Sequence, residues 1–177
     1  MEQTPHPART NGGHRGDKLV VGWFSFTCCE DSTILLAELL NDHFEEWTKL
    51  VEFRHMKTLK TNNSITGLDV AFVEGAISSD SQAAEVREIR ENAKYVVAIG
   101  ACACTGKPST SRNQFVSEQI TERIQWYLDH FDYSEKVKPL DQVIEVDDMV
   151  RGCPMNAEAF DRALGKYLEL FEVGQNV

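Results

Sequence analysis

The sequence lacks the features that mark several large classes of protein. It has no basic excess: 18 Lys and Arg against 28 Asp and Glu leave a formal net charge of -10. A chain of that sign argues against nucleic acid or an anionic membrane as its main partner. No apolar run approaches the roughly 20 residues of a membrane helix. The opening residues, MEQTPHPARTNGGHRGD, hold neither the apolar segment of a secretory signal nor a twin-arginine pair. The expectation is a cytoplasmic protein, with a flexible polar tail over 1–17 and one domain over 18–177. C-x-x-C spacing, the mark of disulfide-exchange enzymes, is absent. So are internal repeats, low-complexity runs and an evident Gly-rich phosphate loop.

What is present is an alternation of strand and helix signals in a chain that is 42% hydrophobic. Lys18 to Phe26 is an apolar run suited to a strand buried on both faces. Asp31 or Ser32 can cap a helix carrying Leu35, Leu36, Leu39, Leu40, His43, Phe44 and Trp47 at helical spacing. Further strands are expected at Lys49 to Phe53, Leu68 to Val73, Lys94 to Ile99 and Val143 to Val146. Ser79 and Gln82 form a capping box for a helix reaching about Asn92. Another helix is expected from about Gln114 to His130. Pro154 suits the first turn of the last one, which carries Phe160, Leu164, Leu168 and Phe171. This order implies an α/β fold: an open parallel sheet with helices on both faces.

Ligands of such sheets bind beyond the carboxyl ends of the strands. All five cysteines fall there: Cys28 and Cys29 after the first strand, Cys102 and Cys104 after the fourth, Cys153 after the fifth. Glu74 ends the third strand at the same edge. Cysteines that only filled a core would lie within strands and helices. In a reducing compartment they are more often ligands, catalytic groups or small buried residues than disulfides. Zinc sites usually pair cysteines two to four residues apart, and neither close pair here has that spacing. Four thiolates, Cys28, Cys29, Cys102 and Cys153, can instead come from three loops to one 4Fe-4S cluster. Helices starting soon after Cys29 and Cys153 would favour an anionic group there. His6 and His14 sit in the tail, and His43 reads as helix packing.

The order of these motifs carries a resemblance: a tandem cysteine pair after the first strand, V-E-G after the third, G-A-C-A-C-T-G after the fourth, and G-C-P before the last helix. Spanning about Lys18 to Val173, it resembles the small, cluster-bearing subunit of nickel–iron hydrogenases and the homologous 20 kDa subunit of respiratory complex I. The resemblance implies a flavodoxin-like fold and one 4Fe-4S cluster. Position by position, Cys29, Cys102 and Cys153 match family ligands. The fourth is Cys28, the favoured reading, or Cys104 in its place. Hydrogenases usually carry C-x-x-C in the first motif. Position 26 here is Phe, and the tandem pair leans towards complex I. Lys107 stands where many relatives have a second Gly. Glu74 matches a carboxylate near the cluster, and Glu30 and Asp31 stand where relatives keep a carboxylate able to pass protons.

The resemblance further implies an electron-relay oxidoreductase subunit. Its partners would be a large subunit holding the nickel–iron site and a downstream iron–sulfur or flavin subunit. The alternatives are a complex I-type subunit whose cluster reduces a quinone, and a cluster-free flavodoxin-like binding or assembly protein.

Overall fold

The computed structural model describes residues 18–115 and 120–174; the tail expected over 1–17 lies outside them. Five parallel strands form one sheet in the order β2-β1-β3-β4-β5. They are β1 Leu19–Ser25, β2 Val51–Met56, β3 Leu68–Glu74, β4 Ala93–Ile99 and β5 Asp148–Val150. The first six residues of β1 and all of β3 are buried, as strands covered on both faces must be.

Alternation of side chains across the sheet splits the core in two. Val21, Trp23, Val70, Phe72 and Ile99 face α1 (Asp31–Asp42), α2 (Phe44–Leu50) and α6 (Ala157–Leu170). Val20, Phe24, Ala71, Val73 and Ala98 face α3 (Asp80–Asn92), α4 (Gly100–Thr105) and the 3-10 turn Leu140–Gln142. On the first face Trp23, Phe72 and Phe160 pack with ring centroids 5.3 to 6.1 Å apart, beneath the carboxyl edge.

Several elements depart from the sequence expectations for identifiable reasons. The helix expected to run through Trp47 breaks at His43, which closes α1 by donating its N–H to the Leu39 carbonyl and opens α2. Its ring stacks on Trp47, 5.3 Å between centroids, as Trp47 turns into the core. Strand two accordingly starts at Val51 instead of Lys49. The capping box at α3 is shifted by one: Ser79 Oγ accepts from the Gln82 N–H, but Gln82 Oε1 accepts from the Ser78 N–H.

The expected helix at 114–130 is a 3-10 turn, Ser109–Gln114, followed by α5, Glu122–His130; residues 116–119 lie outside the described set. No residue of α5 is buried, and Trp126 is 55% exposed. Val143 to Val146 is not a strand. Its Val143, Ile144 and Val146 pack against the α3-side core from an irregular segment. The fifth strand forms only after Asp147, whose N–H reaches the Val96 carbonyl. Pro154 precedes the last helix, which is capped by Asn156 Oδ1 on the Ala159 N–H.

Candidate functional site

The carboxyl ends of β1, β3, β4 and β5 converge on a small cleft. It is lined by Cys29, Asp31, Ser32, Glu74, Cys102 and Cys153, together with Ile99, Gly100, Ala101, Gly152 and Pro154. Three of the expected site cysteines therefore share one wall, and the fourth adjoins it. Cys28 packs against Cys102, Ala76 and Val137. The structure places Cys104 elsewhere. It is buried on the α3 side, and its thiol donates to the Ala98 and Val150 carbonyls at 3.5 and 3.8 Å. Among the described residues, no three His, Cys, Asp or Glu side chains converge as they would on a single metal ion.

The loops are fixed by hydrogen bonds that the sequence could not announce. Thr27 exchanges backbone bonds with Ala76, and its hydroxyl lies 2.6 Å from Ser78 Oγ. That clamps the cysteine pair to the loop after β3. The same loop pairs with the segment bearing Val137 through Ile77 and Lys138. Gly152 accepts from the Ala101 N–H at 2.6 Å, joining the start of α4, which bears Cys102, to the Cys153 loop. The glycines here are required. At Gly152 (φ +128) a Cβ would collide with the Pro154 carbonyl, and at Gly100 (φ +76) one would lie 3.0 Å from Ser32 Oγ.

Glu74 is 3% exposed. Its carboxylate accepts from the Ser32 N–H at 3.2 Å and the Thr33 hydroxyl at 2.7 Å. Thr33 Oγ1 in turn accepts from the Trp23 indole N–H at 2.8 Å. With the Thr33 hydrogen directed to Glu74, Ser25 is the donor in its 3.2 Å contact with Thr33. Asp31 opens α1 at the cleft. Glu30 caps that helix from the left-handed region and lines a neighbouring hollow with His55 and Lys57. Sequence reasoning offered Ser32 only as a helix cap and did not single out Thr33. Their bonds to Glu74 and Met155 join residues 41 to 123 positions apart in sequence.

The thiols differ sharply in character. Burial, then the Glu74 carboxylate, pushes Cys28 up to about 12. Burial, then the neighbouring Cys29 and Cys153, raises Cys102. Burial also drives Cys104 up to about 11. Cys29 and Cys153 are exposed. Since the thiolate is the reactive form, iodoacetamide at pH 8 is expected to label Cys29 and Cys153 of the metal-free chain first. Peptide mass mapping of a time course checks the order; equal labelling of Cys28 or Cys104 contradicts it.

Comparison with known proteins agrees with this architecture. The sequence pattern of the family described as NADH ubiquinone oxidoreductase, 20 Kd subunit, matches residues 28–167. The chain belongs to this family. It is 30% identical over 130 residues to a subunit of the F420-non-reducing hydrogenase of Methanothermobacter thermautotrophicus, covering 62% of this chain and 42% of that protein. It is 26% identical over 110 residues to the delta subunit of the NAD-reducing hydrogenase HoxS of Cupriavidus necator, covering 54% and 53%. The chain thus spans about half the length of the curated relatives it matches. Among solved structures it resembles a chain of an NAD+-reducing [NiFe]-hydrogenase in the H2-reduced state. That match has a TM-score of 0.71 and 23% identity, covering 86% of this chain and 92% of that one. This likeness bears out the α/β fold, with its all-parallel sheet between two helical layers. No described helix is long and apolar enough to cross a membrane.

Proposed function

We propose that this chain is the electron-relay subunit of a cytoplasmic nickel–iron hydrogenase. In this reading residues 18–177 form one domain holding one 4Fe-4S cluster through Cys28, Cys29, Cys102 and Cys153. The observation that carries it is the meeting of three segments, the loop after β1, helix α4 and the loop after β5: Cys29, Cys102 and Cys153 line one cleft, and Cys28 packs against Cys102. Four thiols spread over three segments suit the separate irons of a cluster. Gly100 and Gly152 let the segments bearing Cys102 and Cys153 pack closely, where a Cβ would meet Ser32 Oγ or the Pro154 carbonyl. The position of Cys104, bonded to carbonyls on the other side of the sheet, favours Cys28 as the fourth ligand.

The cluster, when bound, supplies the one-electron redox step. The chain's own residues hold and shield it. Buried Cys102, Ala76 and Val137 exclude water on one side. The Glu74, Thr33 and Trp23 hydrogen bonds keep α1 and the cysteine pair in register with β3. Asp31 and Glu30 stand at the rim, where they can exchange protons with solvent. Electrons would pass between a nickel–iron large subunit docked at this edge and a downstream iron–sulfur or flavin subunit. The hydrogenase relatives support that assignment.

One observation favours a second reading. The tandem Cys28-Cys29 and the family's complex I name fit a quinone-reducing module. A co-purifying large subunit with two C-x-x-C nickel motifs decides for hydrogenase, and one without them for the quinone branch.

The test is anaerobic purification in complex, with iron and sulfide analysis. About four of each per chain are expected. Cys104→Ala should keep that content, and neither iron nor sulfide in the native complex sinks the proposal.

A further inference from the structure

Ser32 occupies an unusual position in the cleft. It is 2% exposed, yet it lines the wall shared by Cys29, Cys102 and Cys153. Its backbone N–H is given to Glu74. Its hydroxyl oxygen accepts from the Met155 N–H at 3.2 Å, across 123 residues of sequence. That bond uses a lone pair and leaves the hydroxyl hydrogen. No acceptor for this hydrogen stands among the described residues, since Met155 is the hydroxyl's one hydrogen-bond partner there.

A buried hydroxyl that gives its hydrogen to nothing is costly, about 1–3 kcal/mol for a polar group left unsatisfied. Solvent is one taker, since Cys29 and Cys153 in the same wall are exposed. The surroundings name a better acceptor. Within the cleft Glu74 already receives the Ser32 N–H and the Thr33 hydroxyl, and the Gly152 carbonyl receives the Ala101 N–H. Neither is bonded to the Ser32 hydroxyl, and a bound cluster would add sulfur acceptors along this wall.

We propose that Ser32 is a positioning residue whose hydroxyl donates a hydrogen bond to a sulfur of the bound cluster or its cysteine ligands and so raises the cluster's reduction potential. The inference rests on the cluster assignment above. Hydrogen bonds to cluster sulfur tune potential because reduction adds negative charge to the sulfurs, which a donor stabilises. Ser32 is well placed for this. Its oxygen is held by Met155 from the Cys153 loop, its backbone by Glu74 from β3, and Gly100 leaves room beside it. The same side chain that ties the cysteine loops together also meets the cluster with a donor.

The experiment is an EPR-monitored redox titration of the anaerobically purified complex carrying wild-type chain, Ser32→Ala or Ser32→Thr. Iron and sulfide are measured on each sample. Ser32→Ala is expected to lower the midpoint potential, shifting the oxidised-to-reduced ratio at fixed potential by about tenfold, about 59 mV for one electron. Ser32→Thr, which keeps the hydroxyl, is expected to stay at the wild-type value. A Ser32→Ala complex with full iron and an unshifted potential overturns the proposal. If Ser32→Ala does not load iron, Ser32→Val takes its place: close in shape to Ser32→Thr but without the hydroxyl, it should lower the potential, and a wild-type value overturns the role. Absence of iron from the wild-type complex is a separate result: it removes the cluster assignment itself.

Discussion

Cys102→Ser is expected to abolish cluster assembly, taking iron from about four per chain to near zero and removing the visible absorption of the complex. The reason is its central place. Cys102 is 7% exposed at the start of α4, with Cys28 packed against it and Cys29, Cys153 and Glu74 close enough to raise its proton affinity. It packs against Cys28 and shares the cleft wall with Cys29 and Cys153. Serine is nearly isosteric, and the cluster-free chain should keep its fold, with a stability change of about 1 kcal/mol by urea titration. Loss of iron with fold retained separates a ligand role from a packing role. Iron held at the wild-type level would mean that Cys102 is not a ligand. Cys104→Ala is the matched control, two residues away on the same helix and facing the other core.

Asp147→Ala is expected to destabilise the cluster-free chain by about 3–5 kcal/mol, the cost of removing one partner from a buried ion pair. Asp147 Oδ2 accepts from Arg90 at 2.7 Å and from the Val96 N–H at 2.8 Å, and the two side chains of the pair are 6% and 10% exposed. Arg90 also donates to the Ala93 and Lys94 carbonyls, holding the end of α3 against β4. Without the carboxylate, a buried guanidinium is left short of its counter-charge and the β4 N–H of Val96 loses its acceptor. The effect reaches the site through the chain itself: β5 begins at the next residue and carries Cys153 into the cleft. Denaturant midpoints of the cluster-free chain measure the change. A loss below about 1 kcal/mol, the range of an exposed pair, would count against this account.

The same Asp147 explains the largest error in reading strands from the sequence. Val143-Ile144-Glu145-Val146 has the alternation of a half-buried strand, and its apolar members are indeed packed. What pairs with β4 is decided by where a side chain can replace the ladder. Asp147 takes the Val96 N–H itself, so regular pairing starts at Asp148 with Val97. The break at His43 is of the same kind. The apolar spacing through Trp47 is continuous, but Trp47 must turn to meet Phe160, 6.0 Å away between ring centroids, on a helix 113 residues later. Glu74 shows the converse. Its place at the end of a strand was legible, while the Ser32 and Thr33 donors that satisfy it come from another element.

Strand and helix order, the parallel sheet and the gathering of Cys28, Cys29, Cys102 and Cys153 at its carboxyl edge followed from the sequence alone; the expectation that Cys104 joins them did not hold, because it is buried in the core on the α3 side. Those features rest on local periodicity and on the rule that parallel strands end on one side. Which thiols face one another was settled by tertiary structure. G-A-C-A-C-T-G reads as a loop, yet it folds as helix α4. Successive helical residues turn by about 100°, so positions two apart point to nearly opposite sides. Cys102 therefore lines the cleft and Cys104 enters the core behind it, a distinction no spacing of letters contains.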